Sequence, residues 1–154
     1  MVLGFVFRKG KNMENIDITS KFVAVLNKKI PIGILMNALG HMAAGLVGAY
    51  SDKAAMRFDT YIDRDGGRHN SISDNPFIIL AADNSNQIRS LRSELIAQGV
   101  HFVDFTNTMT VGTYAEQKMR TQQTPENELE YYGICLFGQI AQINTLTKKF
   151  SLWR

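Results

Sequence analysis

One cysteine stands in a chain of 154 residues. That excludes an intrachain disulfide and a multi-cysteine metal site, and a lone thiol fits a reducing cytoplasm better than an oxidising compartment. The three histidines, His41, His69 and His101, show neither HxH nor HExxH spacing, so no metal is expected. Asp63 and Asp65 begin like a calcium loop, but Arg68 stands where that loop requires glycine, and a hairpin turn is the better reading. Neither GxGxxG nor GxxxxGK followed by Ser or Thr occurs, so no nucleotide cofactor is expected. Internal repeats, low-complexity stretches and linkers are also missing. The length is one domain's worth, and 45% hydrophobic with 20% charged residues is an ordinary globular balance.

The net charge of +3 is unevenly spread. Residues 1–50 hold six Lys/Arg against two Asp/Glu, whereas residues 51–154 are close to neutral. A basic first third attracts phosphate, or simply forms a solvated rim around the first strand. Residues 1–19 read as an N-terminal extension and 20–154 as a single α/β domain. Within the extension, Val2–Phe7 is apolar and is followed by Arg8, Lys9 and Lys11. Its run is too short for a signal-peptide core and its basic residues lie on the wrong side. It reads as an extra edge strand or a tail, with Met13 as an alternative start.

Ile30–Tyr50 is uncharged over 21 residues, long enough to span a bilayer. Asn37, His41 and four glycines interrupt it, and no second hydrophobic span exists. The expectation is a core helix covered by a sheet on one side and by other helices on the other, with no membrane partner.

Strands and helices alternate along the rest. Lys21–Asn27 (KFVAVLN) reads as a buried strand, and Pro31 suits the first turn of the helix that follows. Phe58–Asp63 alternates like a half-buried strand and returns through Arg64-Asp65-Gly66-Gly67 into Arg68–Ile72. Phe77–Ala82 (FIILAA) is a second buried strand. Asn84 or Ser85 caps a helix with Ile88, Leu91, Leu95 and Ile96 on one face, and Gly99 ends it. Val100–Phe105 is the third strand. Thr113 and Glu116 have capping-box spacing for a short helix, Tyr131–Phe137 is the fourth strand, and a last helix carries Ile140, Ile143, Leu146 and Phe150. This order predicts a three-layer α/β sandwich around a mostly parallel, mixed four-stranded central sheet.

Ligands in such folds bind beyond the carboxyl ends of the strands. Asp104 and Thr108, four residues apart, supply a carboxylate and a hydroxyl there, as a general base and donor or as an ordinary turn and cap. Asn37 and His41 share one helix face and either line a pocket or are satisfied internally. Cys135 lies in an apolar strand with no adjacent base and reads as core.

The run from KFVAVLN into GILMNALGHMAAGLVGAY, then FIILAADNSNQIRSLRSELIAQGVHFVDF and GICLFGQIAQINTLTKKF, resembles type II peptidyl-tRNA hydrolases in its order of elements. It is still more similar to the uncharacterised bacterial family called domain of unknown function 2000, over roughly residues 20–151. The hydrolase resemblance implies roles for Asp104 and Thr108, which match its Asp-x3-Thr motif, and for His41, which can match its helix histidine. The hydrolase lysine falls on Gly33 or Ile34 and is absent, with Lys28 or Lys29 as substitutes for meeting phosphate. The hydrolase glutamine falls on Asn37 or on Ala38, according to register. The resemblance therefore implies either a module binding a small molecule or RNA, with Asn37, His41, Lys28 and Lys29 as its contacts, or a hydrolase of ester or amide bonds in a peptidyl-tRNA-like substrate. It also implies a homodimer.

Overall fold

A computed structural model describes residues 17–154, so the expectations for Val2–Phe7 and Met13 lie outside the described residues. The elements run β1 (Ser20–Asn27), α1 (Ile32–Ala49), β2 (Phe58–Ile62), β3 (Arg68–Ser73), β4 (Phe77–Ala82), α2 (Ser85–Gln98), β5 (His101–Thr106), α3 (Tyr114–Gln123), β6 (Tyr131–Gln139), α4 (Ile140–Thr147) and β7 (Ser151–Leu152). Asn84 caps α2 through Gln87 N–H, Gly99 ends it at φ 64°, and Thr113 with Glu116 forms a full capping box on α3.

The central sheet has five strands, not four, in the order β5-β6-β1-β4-β7. It is also less parallel than expected. Only β1 and β4 pair in parallel, while β1–β6, β5–β6 and β4–β7 are antiparallel. The cause lies in α3. A parallel return needs a helix that crosses the sheet with a buried stripe, and α3 buries no residue. The chain therefore re-enters at the end it left, with Tyr131 beside Thr106, and β6 runs back against β5.

Alternation along the strands divides the core into two layers. Val23 and Val25 of β1 and Ile134 and Leu136 of β6 pack against Ile88, Leu91 and Leu95 of α2 and Ile143 and Leu146 of α4. On the other face Phe22, Ala24, Leu26, Phe105, Cys135 and Phe137 meet Leu35, Ala38, Met42 and Leu46 of α1. Gly133 permits this close approach: a Cβ there would sit 2.8 Å from both Leu26 and Met42.

Two expectations about this face need correction. Helix α1 is long and apolar enough to cross a membrane by length and composition, but it packs on the sheet by one stripe and, among the described residues, nothing covers its other side. Ile32 and Met36 are exposed, and a Cβ at Gly33, Gly40 or Gly48 would meet nothing. The β2–β3 hairpin is exposed rather than half-buried, with Tyr61, Ile62 and Ile72 in the open. Only its base is tied down, through Asn75 Nδ2 donating to Ala55 C=O and Asp74 N–H donating to Arg57 C=O.

Candidate functional site

A cleft of about 680 Å³ opens beside β5, between α1 and the segment leading into α3. Its α1 side presents Asn37, His41 and Met42; its far side presents Met109, Thr110, Thr113, Tyr114 and Gln117; Val103, Asp104 and Phe105 of β5 lie between. Its volume falls in the range of small-molecule sites, roughly 300–1,000 Å³.

The far side is held firmly. Thr106, Thr108 and Thr121 join their hydroxyls in a chain with 2.8 Å links. Arg120 donates to Thr108 C=O at 3.2 Å and to Val111 C=O at 2.9 Å. The Glu116 carboxylate accepts from Thr113 N–H at 2.6 Å. These bonds fix residues 106–113 against α3 and set Thr110, Thr113 and Gln117 opposite Asn37 and His41. On the α1 side the His41 ring stacks on Phe105, with centroids 6.0 Å apart and planes 29° from parallel. Among the described residues, the side chains of Asn37 and His41 make no hydrogen bond, and both residues are exposed.

The residues singled out from sequence do not all meet. Asn37, His41 and Asp104 line the cleft. Thr108 does not; it is buried, with its hydroxyl engaged by Thr106 and Thr121. Asp104 is on the strand rather than beyond it, and its carboxylate turns to the α2 face, where Arg92 Nε donates to it at 2.7 Å. The cleft therefore meets Asp104 mainly as backbone. Lys28 pairs with Asp83 at 2.5 Å, and that hydrogen bond holds the exposed Asp83 carboxyl below its usual range. Lys28 and Asp83 line a smaller cavity with Leu152 and Trp153; Lys29 lines neither. Sequence reasoning missed Gln117, Tyr114 and Arg120, although the capping box already marked the turn that carries them.

On the α2 side of the sheet the polar groups are spent on one another. Arg89 ties Glu126 and Leu129 C=O to α2, and Tyr131 O–H donates to Glu126; burial and that carboxylate push the Tyr131 phenol up to about 12. Burial likewise pushes the Cys135 thiol up to about 12. The described residues contain no group of three His, Cys, Asp or Glu able to hold a metal ion.

The family model for a protein of unknown function, DUF2000, matches residues 20–154. The chain belongs to the DUF2000 family. No curated protein matches it. Among solved structures, this DUF2000 chain is similar to the protein of unknown function Atu0240 from Agrobacterium tumefaciens strain C58. The two share 16% identity at a TM-score of 0.75, over 88% of this chain and 98% of the other. At that identity the likeness is one of fold. The DUF2000 match also spans the cleft, since both of its sides fall within residues 20–154.

Proposed function

We propose that this DUF2000 domain is a binding module whose ligand is a small, uncharged molecule with hydrogen-bonding groups and a planar part, held in the α1–β5–α3 cleft. The observation that carries this reading is the state of the polar groups. Among the described residues Asn37 and His41 face the cleft without hydrogen-bond partners. Opposite them Thr110, Thr113 and Gln117 already bond to Asn107 C=O, Glu116 and Gly112 C=O, and the two nearby carboxylates, Asp104 and Glu116, are engaged by Arg92 and by Thr113. Amide and imidazole groups recognise neutral donors and acceptors, and the His41–Phe105 stack offers a planar surface. Among the described residues no Lys or Arg lines the cleft, which weighs against an RNA backbone, since phosphate binding rests on cationic side chains.

The test is a thermal-shift panel of neutral metabolites, nucleosides and short RNA on wild type and the Asn37→Ala/His41→Ala variant. The expected result is a neutral compound that raises the Tm of wild type by several degrees and the variant's by much less. A compound that raises both equally, or a panel in which only RNA acts, overturns the reading.

Hydrolysis of an ester or amide, on a scaffold like that of type II peptidyl-tRNA hydrolases, is the second reading. The presence of Asp104 at the cleft favours it. It requires Asp104 to leave Arg92 and Thr108 to leave its buried hydroxyl chain. Incubation with a peptidyl-tRNA mimic tests it: release by wild type and none by Asp104→Ala supports hydrolysis, and no release at high enzyme concentration ends it. The single buried thiol agrees with a cytoplasmic setting.

A further inference from the structure

We infer that the cleft takes its ligand as an extended peptide, added as a strand to the open edge of β5; this rests on the binding reading above and names the ligand class. The argument starts from the hydrogen-bond parity of the sheet. Ile140 N–H donates to Thr19 C=O at 3.0 Å, one step beyond the Ser20–Gln139 end of the β1–β6 register. Main-chain groups alternate sides along a strand. Gly138, Leu136 and Ile134 therefore turn theirs to β1, and Phe137, Cys135 and Gly133 turn theirs to β5. His101, Val103 and Phe105 are the partners of those three in β5. Phe102 and Asp104 must then aim their N–H and C=O groups away from the sheet, and no backbone partner receives them among the described residues.

Asp104 does so inside the cleft. Its side chain is committed to Arg92 on the α2 face, while Val103 and Phe105 turn theirs toward α1. What Asp104 offers a ligand is one donor and one acceptor at strand spacing, the recognition element of β-strand addition. The side chains of an added strand would alternate, every second one pointing to His41, Phe105 and Asn37.

The two edges of the sheet differ in a way that supports this. Natural sheets blunt free edges by shortness, charge, proline or cover. The β7 edge is two residues long. The β5 edge is six residues long, HFVDFT, without Lys, Arg or Pro, and its one charged residue, Asp104, is paired with Arg92 on the α2 face. It is recessed instead, since α1 and the Met109–Gln117 segment line the same cleft from either side. A single strand needs less room between those walls than the sheet of a second copy, which carries its own helices. Among the described residues, the absence of cationic side chains from the lining and the engaged Asp104 carboxylate select neutral side chains in the peptide.

The experiment uses the full chain, ¹⁵N-labelled, titrated with a library of acetylated, C-terminally amidated tetrapeptides built from Ala, Val, Thr, Phe and Gln. A second library of the same composition, with every amide N-methylated, is the control. The expected result is that the first library shifts the signals of Asn37, His41 and Asp104 and slows exchange of the Asp104 N–H by about tenfold or more, whereas the second does neither. Shifts at Asn37 and His41 without protection of Asp104, or equal effects of the two libraries, overturn the strand-addition inference and leave the cleft as a binding site of another kind. No shift at any cleft residue overturns both. An Asp104 N–H already protected before peptide is added, in a protein that sediments as a dimer, gives the edge to a second copy and overturns the inference too.

Discussion

The two faces of the central sheet are built to different ends. On the α2–α4 face the apolar side chains interlock and the polar ones are consumed: Arg92 by Asp104, Arg89 by Glu126, Tyr131 by Glu126 again. On the α1 face one stripe of the helix is packed and, among the described residues, its outer side is bare and Asn37 and His41 are left over. Polar groups that satisfy each other stabilise a fold and have nothing left to give a ligand. The proposed binding site therefore lies on the face that looks less finished.

The contrast can be broken at several points. Leu91, fully buried under α2, should cost about 2–5 kcal/mol on replacement by Ala, as measured by urea unfolding. A loss under about 1 kcal/mol would mean that the α2 face is not close-packed.

Alkaline pH tests the sheet's interior. The Cys135 thiol is raised to about 12 in the folded chain. A raised acid stays protonated in the folded state while the unfolded chain ionises, so its contribution is intact below the unfolded value and is lost as pH rises toward the folded one. Stability should fall from roughly pH 8.5 upward by about 1.4 kcal/mol per unit from this group alone. Cys135→Ala should flatten that part of the profile, and an unchanged slope would deny the burial.

Asp104→Asn should cost about 1–2 kcal/mol, because it breaks a pair whose side chains are 33% and 17% exposed for Arg92 and Asp104. A variant of unchanged stability would free Asp104 for chemistry and strengthen the hydrolytic reading. Gly40→Ala, on the open side of α1 where a new Cβ meets nothing, should gain roughly 0.5–1 kcal/mol. A loss instead would show that another molecule covers this side in solution, as in a homodimer. His41→Ala should cost at most about 1 kcal/mol, the worth of its stack on Phe105, and Asn37→Ala less than about 0.5 kcal/mol, since its side chain makes no hydrogen bond among the described residues.

Much of the fold was legible because its signals are local. Four apolar runs marked four of the five sheet strands, Asn84 and Gly99 bracketed α2, and Thr113 with Glu116 marked α3. What escaped depends on contacts distant in sequence. Ser151–Leu152 carries no strand pattern and is a strand only because Leu80 and Ala81 offer it a partner. The direction of β6 follows from α3 burying nothing, which a cap motif does not reveal. The bare side of α1 was hidden by composition, since an uncharged helix reads the same whether it is covered or not.

The site was legible in part for the same reason. Asn37 and His41 stood out as the strongly polar residues of their helix, and the spacing of Asp104 and Thr108 suggested a shared role. Spacing does not say which side of a strand a carboxylate takes. Asp104 takes the α2 side with Arg92, and Thr108 is buried with Thr121.

The most direct measurement maps neutral fragment compounds onto the labelled protein by chemical-shift perturbation. The account predicts that the perturbed residues cluster at Asn37, His41, Thr113, Gln117 and the Asp104 backbone. Perturbation concentrated on the α2–α4 face, or around Lys28 and Asp83, would contradict it.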